Sequence, residues 1–97
     1  MEIRFTPEFE KRYKKLALSV KIKAEKQIDF FKVNPIHPSL NIEKLNPRNK
    51  NYWSLRVDVK HRIIFKFEKE DLVIFYNIGE HDWIYKYTNR LWKHHAI

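Results

Sequence analysis

The stretch that decides the fold is WSLRVDVKHRIIFKFEKEDLVIFYNIGEHDWIY, residues 53–85. It holds three apolar runs separated by two short polar segments, and it closes with a polar cluster and an aromatic residue. Apolar and polar side chains alternate in residues 53–57 and again in 62–68, which is typical of half-buried strands. Residues 72–78 are apolar on both faces, as expected of a well-covered strand. The stretch therefore predicts an antiparallel meander of three strands.

The alternation also predicts which side chains share a face of this sheet. Trp53, Leu55 and Val57 of the first strand should face the rest of the protein, and Ile63, Phe65 and Phe67 of the second should join them. The opposite face then carries Ser54, Ile64 and a basic row. That row consists of Arg56, Arg62 and Lys66.

Upstream of the meander, the sequence predicts a short strand and a helical hairpin. Residues 2–5 are strand-like, and Thr6-Pro7 is a strong helix start with threonine as N-cap and proline in the first turn. This first helix should run to about Ala17. A second helix should begin with Ser19 as its N-cap and end at Asn34-Pro35, because the residue before proline is disfavoured in a helix.

The remaining segments carry weaker signals. Residues 35–51 contain three prolines and no sustained period, so they predict a long connection, made basic by Lys44, Arg48 and Lys50. After Gly79 the aromatic and aliphatic residues are spaced as in a final helix or a strap.

Composition narrows the class of protein. The 97 residues predict one domain spanning 1–97, and an apolar share of 43% is enough for a folded core. The absence of cysteine excludes disulfides, thiolate nucleophiles and Cys-based zinc sites. We expect a cytoplasmic protein that does not associate with membranes, since the sequence has neither a bilayer-length apolar run nor a signal-peptide pattern. The net charge of +8 favours a polyanionic partner such as nucleic acid.

Four side chains near the end of the meander suit cleavage of RNA. RNA supplies its own nucleophile, the 2′-hydroxyl, so a protein has to align it, move protons and neutralise charge on the phosphate. Arg56 and Arg62 suit the phosphate because a guanidinium can bind two of its oxygens. His81 suits proton transfer, and Tyr85 could stack on a base or bind the reacting oxygens.

Each of these residues also has an ordinary structural interpretation. Arginines at strand ends are more often solvated or ion-paired, His81 could be a surface or capping residue, and Tyr85 has the spacing of core packing on a helix. His81 and Asp82 have no third ligand at a recognisable spacing, so we predict no metal site and no cofactor. Residue chemistry alone thus supports a basic α+β domain that acts on nucleic acid. It does not show that the domain is an enzyme.

Four motifs, in this order and spacing, resemble the RelE/ParE superfamily of toxins from type II toxin–antitoxin systems. They are NPIHPSLNIEKL (residues 34–45), YWSLRV (52–57), HRIIFKF (61–67) and IGEHDWIYK (78–86). The resemblance implies an α+β fold of order β-α-α-β-β-β, with a helical hairpin packed on one face of an antiparallel sheet. For the RelE and YafQ-like branches it also implies a metal-independent mRNA endoribonuclease that inhibits translation, acting mostly on the ribosome.

The resemblance assigns roles to the same four residues. Arg62 matches a phosphate-stabilising arginine, Arg56 a basic residue that grips the phosphate backbone, and Tyr85 an aromatic that stacks on or orients the nucleotide. His81 lies where the family uses an acid or charge stabiliser, and the general base is left open between His81 and Tyr85. Where RelE has a second basic residue on the second strand, this chain has Ser54.

The expected partners are mRNA, the ribosome and a cognate antitoxin with an acidic and apolar segment. A heterotetramer of toxin and antitoxin is one expected assembly. Two alternatives remain: a ParE-like toxin that inhibits DNA gyrase without nuclease activity, and a non-catalytic RNA- or ribosome-binding domain. The residues expected to contact RNA are Lys44, Arg48, Lys50, Lys60, His61, Lys66 and Lys86.

Overall fold

The computed structural model describes residues 1–45, 50–84 and 86. Two helices and a five-stranded sheet make up an α+β fold, which confirms the predicted class. The elements are β1 (Glu2–Phe5), α1 (Pro7–Lys14), α2 (Leu18–Val33), a 3₁₀ turn (Pro38–Leu40), β2 (Glu43–Lys44), β3 (Tyr52–Arg56), β4 (His61–Lys69) and β5 (Leu72–Glu80). Residues 81–84 and 86 have helical backbone and are called the closing helix segment.

The sheet is mixed, whereas the sequence predicted an antiparallel one. Its strand order is β1-β5-β4-β3-β2. Strands β2 to β5 pair antiparallel, but β1 lies parallel to β5, with Ile3 beside Val73. The helical hairpin between β1 and the rest of the sheet returns the chain to the opposite edge, and this allows the parallel pairing. The two-residue strand β2 was not predicted, and it lies inside the segment expected to be a connection.

The start of α1 is confirmed as predicted. Thr6 has extended backbone and its Oγ1 accepts a hydrogen bond from the Phe9 N–H at 3.0 Å. The same hydroxyl donates to the Tyr76 carbonyl on β5 at 2.7 Å. One side chain therefore begins the helix and also ties it to the sheet.

The junction between the two helices differs from the prediction. Helix α1 ends at Lys14, three residues before Ala17, and α2 begins at Leu18. Ala17 is extended and its carbonyl already accepts from Val20 and Lys21, so it is the N-cap without any side-chain bond. Ser19 was therefore wrong as the cap, because the backbone turns into the helix before it. The predicted end of α2, at Asn34, is confirmed.

The main core lies between the helices and one face of the sheet, as predicted. Fully buried aromatic side chains dominate it, and the Phe31 and Phe65 rings meet edge to face with centroids 5.0 Å apart. The buried members of this core are Phe9, Ala24, Ile28, Phe31, Leu40, Leu55, Val57, Ile63, Phe65, Val73, Phe75 and Ile78.

The opposite face of the sheet is more covered than the alternation predicted. Ile64 was expected to point outward between basic residues, yet it is fully buried in a second cluster with Leu45, Tyr52 and Ile84. Ile84 belongs to the closing helix segment, which folds back over this face. No described helix is long and apolar enough to cross a membrane.

Candidate active site

Strand register brings the two predicted arginines side by side. Arg56 on β3 is the cross-strand partner of Arg62 on β4, and Arg62 in turn is the partner of Gly79 on β5. Directly opposed residues have their side chains on the same face. A row of two cations and one glycine therefore crosses three strands at one end of the sheet.

The two guanidinium groups have different surroundings. Nη1 of Arg62 donates to the Asp58 carbonyl at 2.6 Å and to the His61 carbonyl at 2.9 Å. Within residues 1–45, 50–84 and 86, the Arg56 guanidinium makes no hydrogen bond and no ion pair. Arg62 is thus held in place by backbone, whereas the half-buried Arg56 guanidinium has no such contact among the described residues.

The turn between β3 and β4 is fixed by one carboxylate. Oδ1 of Asp58 accepts from the N–H of Lys60 at 2.9 Å, from the N–H of His61 at 2.8 Å and from the His61 ring at 2.9 Å. Burial alone would raise the pKa of Asp58, but these hydrogen bonds and the charge of His61 together lower it below its usual value.

His81 lies directly after β5, at the start of the closing helix segment. Its N–H donates to the Lys60 carbonyl at 2.6 Å, which connects it to the same turn that holds Arg62. The imidazole is about half exposed, and its Nδ1 lies 3.4 Å from Oδ1 of Asp82. The histidine backbone is therefore anchored while its ring remains accessible.

An open cleft of about 520 Å³ lies at this end of the sheet, and we call it the end cleft. Lys60 and Arg62 supply two cations, and Glu80 and Asp82 supply two carboxylates. Its charge is consequently balanced before His81 is counted. The lining residues are Val59, Lys60, Arg62, Glu80, His81 and Asp82.

Gly79 is needed for the close approach of an indole to the strand. A Cβ built on it would lie 2.5 Å from Cε3 of Trp83, closer than side chains approach one another. The backbone of Gly79 does not have a positive φ, so left-handed geometry is not the reason for glycine here. The Arg12 guanidinium from α1 lies over the indole, with its carbon 4.0 Å from the ring centroid. Trp83 is thus held between the sheet and α1, next to the arginine row.

Two of the predicted RNA contacts lie at the other end of the sheet. Lys44 Nζ donates to Oδ1 of Asn51 at 3.0 Å and lies 4.8 Å from the centroid of Trp53. Lys66 Nζ is 5.7 Å from the Tyr52 ring centroid. Lys66 lies four positions after Arg62 on β4, roughly 13 Å along the strand. The predicted basic row is therefore interrupted by the buried Ile64.

The other predicted residues divide into four groups. Lys60 lines the end cleft, whereas the His61 ring is bonded to Asp58 and belongs to the turn. Lys50 is half-buried and Lys86 is exposed. Tyr85 and Arg48 lie outside the described residues.

Three acidic residues at or beside this site were not predicted from the sequence to belong to it. Asp58 and Glu80 were not singled out, and Asp82 was considered only as a metal ligand. No three His, Asp or Glu side chains come together as a metal site in the part of the chain that the structure describes. The spacing of Asp58 and His61 across a predicted turn was a usable signal, because an aspartate that opens a turn commonly accepts from the backbone N–H groups that follow.

The lowered pKa of Asp58 gives a prediction for stability in acid. Since the folded-state value lies below the unfolded value near 3.8, the bonded carboxylate stabilises the fold above that value, and the contribution is lost as pH falls through the folded-state pKa. We expect the free energy of unfolding of wild type, relative to Asp58→Asn, to decrease as pH falls below about 4. Urea denaturation of both proteins between pH 7 and pH 3 measures this. A constant difference over that range would contradict it.

Solved structures with the same fold include several toxins. The YoeB/ParE toxin from Agrobacterium tumefaciens matches with a TM-score of 0.70 and 19% identity, over 84% of this chain and 99% of that one. The RelB-RelE antitoxin–toxin complex from Methanococcus jannaschii matches with a TM-score of 0.70 and 22% identity, over 87% of this chain and 96% of that one. YafQ from E. coli matches with a TM-score of 0.68 and 20% identity, over 87% of this chain and 97% of that one. These likenesses define a RelE-like toxin fold.

The family follows from the sequence itself. Residues 6–81 match the model of the HigB-like toxins, described as RelE-like toxins of type II toxin–antitoxin systems. The match covers most of the chain, so this protein belongs to the HigB-like toxin family within the RelE/ParE superfamily. None of the curated proteins compared with the chain matches it. The resemblance inferred from the four motifs is thereby confirmed.

Proposed function

We propose that this toxin is an endoribonuclease that cleaves mRNA, in a ribosome-dependent manner and without a metal ion, and so inhibits translation. The observation that carries the proposal is the end cleft. One turn holds the Arg62 guanidinium and the His81 backbone at the same opening, and Arg56 lies directly across from Arg62. A phosphate group bound there would meet the Arg62 guanidinium and the accessible His81 imidazole, with Arg56 on the neighbouring strand.

In the proposed reaction the 2′-oxygen of a ribose attacks the adjacent phosphorus while the bond from phosphorus to the 5′-oxygen breaks. The products are a 2′,3′-cyclic phosphate and a free 5′-hydroxyl. One proton leaves the 2′-hydroxyl and one is delivered to the 5′-oxygen. Arg62 would stabilise the charge on the non-bridging oxygens, since its remaining N–H groups can bind two of them.

Arg56 and His81 have complementary proposed roles. Arg56, unbonded among the described residues, would grip the phosphate backbone. His81 would transfer one of the two protons, because histidine is the side chain best suited to this near neutral pH. Tyr85, outside the described residues, remains our second candidate for proton transfer and for stacking on a base. Lys60 is the predicted RNA-contacting lysine that lines the end cleft.

The balanced charge of the end cleft bears on where RNA would gain affinity. Glu80 and Asp82 offset Lys60 and Arg62, so the lining alone offers little long-range attraction. The net charge of +8 must act through the remaining surface, which includes Lys44, Lys50, Lys66 and Lys86. We therefore propose that those lysines hold the RNA or the ribosome while the cleft performs the chemistry.

We also propose that this single-domain toxin is neutralised by an antitoxin with an acidic and apolar segment. The RelB-RelE structure is an antitoxin–toxin complex, and others with this fold are the YoeB-YefM and DinJ-YafQ complexes. The chain offers an open groove of about 620 Å³ with an aromatic floor of Phe5, Phe9 and Tyr13. Apolar side chains of the antitoxin could be buried there, and the carboxylates of the antitoxin would meet the basic surface of the toxin elsewhere.

Primer extension on a defined mRNA, with and without ribosomes, tests the nuclease proposal. We expect cuts that need ribosomes and that decrease about a hundredfold in His81→Ala, the usual loss when a proton-transfer group is removed. His37→Ala is the control, because the His37 ring stacks on Phe30 with centroids 4.6 Å apart and does not line the cleft.

Equal cutting by wild type and a folded His81→Ala would remove His81 from the mechanism. If folded wild type makes no cuts in either condition, the nuclease proposal is wrong. A gyrase supercoiling assay would then decide whether the protein is instead a ParE-like gyrase inhibitor or a passive RNA-binding domain.

A further inference from the structure

Three carbonyl groups at the turn between β3 and β4 accept hydrogen bonds from residues that line the end cleft. The carbonyls of Asp58 and His61 accept from Nη1 of Arg62, and the carbonyl of Lys60 accepts from the N–H of His81. Arg62 lies on β4 and His81 follows β5, yet the carbonyls of residues 58, 60 and 61 hold both. Any displacement of this turn would move both of them.

Strand pairing does not fix the carbonyls of Asp58 and Lys60, whereas His61 is paired with Glu80 on β5. The β3–β4 register ends at the pair Arg56 and Arg62, so residues 57–60 lie beyond the last pair. The backbone bonds that close the turn both converge on the His61 carbonyl, from Val57 at 3.0 Å and from Asp58 at 3.4 Å. Neither constrains Lys60, whose carbonyl holds His81.

The Asp58 carboxylate supplies the missing constraint. Its Oδ1 accepts from the N–H groups of Lys60 and His61, which orients the peptide groups on both sides of Lys60. The third donor, the His61 ring, is mostly buried and lies against the carboxylate, with 14% of its side chain exposed. Asp58 does not line the end cleft, so it is not placed to touch a substrate there.

We propose that Asp58 is a positioning residue for the end cleft, which sets the orientation of the Arg62 guanidinium and the location of His81 through the β3–β4 turn. The benefit is preorganisation: a guanidinium already held by two carbonyls does not have to be ordered when phosphate arrives. The kinetic part of this inference rests on the proposed nuclease function, whereas the structural part does not.

The kinetic test compares three variants in single-turnover cleavage of mRNA on programmed ribosomes. Asp58→Ala removes the acceptor, and we expect the rate at saturating substrate to decrease about tenfold to a hundredfold, with little change in the half-saturating concentration. Asp58→Asn keeps an acceptor oxygen in the same place and should stay within about threefold of wild type. Asp71→Ala, in the exposed β4–β5 turn, is the matched control and should behave like wild type.

A second measurement does not depend on cleavage. In ¹⁵N-labelled protein, Asp58→Ala should change the Arg62 side-chain N–H signal and speed amide exchange at His81, while exchange in the core strand residues Ile63 and Phe65 remains slow. Asp58→Asn and Asp71→Ala should leave all these signals near those of wild type.

The outcomes separate the two proposals. If wild type cleaves and a folded Asp58→Ala cleaves equally fast, the positioning role is wrong. Exchange that accelerates equally at His81, Ile63 and Phe65 would also overturn it, because the carboxylate would then stabilise only the fold. If wild type does not cleave at all, the nuclease function fails, and the Arg62 and His81 signals alone support or reject the positioning role.

Discussion

Replacing Arg62 with alanine is expected to slow RNA cleavage about a hundredfold or more, the loss found when a donor that stabilises transition-state charge is removed. The fold should survive, because the Asp58 and His61 carbonyls that lose the guanidinium are near the surface, and the His61 carbonyl also accepts from Val57. Single-turnover cleavage combined with thermal unfolding measures both effects.

Two further arginine variants sharpen this test. Arg62→Lys keeps the charge but cannot bind two phosphate oxygens through a planar group, so its rate should fall between those of wild type and Arg62→Ala. Arg4→Ala removes an exposed arginine that pairs with Glu2 on the edge strand β1, and it should not affect the rate. A folded Arg62→Ala variant with wild-type activity would exclude Arg62 from the mechanism.

Replacing Gly79 with alanine should destabilise the protein by about 1–3 kcal/mol, the usual result of forcing an extra methyl group into a packed site. The added Cβ would lie 2.5 Å from Cε3 and 2.8 Å from Cζ3 of Trp83. Moving the indole away would disturb its contact with the Arg12 guanidinium, whose carbon lies 4.0 Å from the ring centroid. Urea unfolding of the single variant gives the change in free energy.

Removing the indole should abolish or reverse the destabilisation caused by Gly79→Ala. In a Trp83→Ala background the clash is gone, and the extended backbone of Gly79 suits alanine, which loses less conformational entropy on folding. We expect Gly79→Ala to be neutral or stabilising by up to about 1 kcal/mol there. The double-mutant cycle isolates the coupling between the two positions. An equal cost in both backgrounds would mean that the requirement for glycine has another origin.

Local chemistry made much of the fold predictable. The Thr6-Pro7 helix start, the end of α2 before Pro35 and the three strands of the meander all rest on neighbouring residues or on a period of two. The N-cap of α2 was predicted wrongly because a serine was available two residues after the point where the backbone turns. The parallel partner of β1 could not be read from the sequence, since nothing in residues 2–5 specifies which distant strand they join.

The candidate site was only partly predictable for a similar reason. Alternation placed Arg56 and Arg62 on one face, and register then set them opposite each other. Alternation could not show that the closing helix segment buries Ile64, or that Arg62 is held by two carbonyls. Those facts depend on contacts between segments, and so does the charge balance that Glu80 and Asp82 bring to the end cleft.

The position of β1 in the sheet sets an order for folding during synthesis. Because β1 pairs with β5 and Thr6 bonds to Tyr76, the first strand cannot join the sheet until β5, which ends at Glu80, has been made. Contacts so distant in sequence form late, since a long loop must close first. The residues of the end cleft, 59–82, span the same late region. A ribosome making this toxin therefore carries a chain without an assembled cleft until about residue 82 has been made.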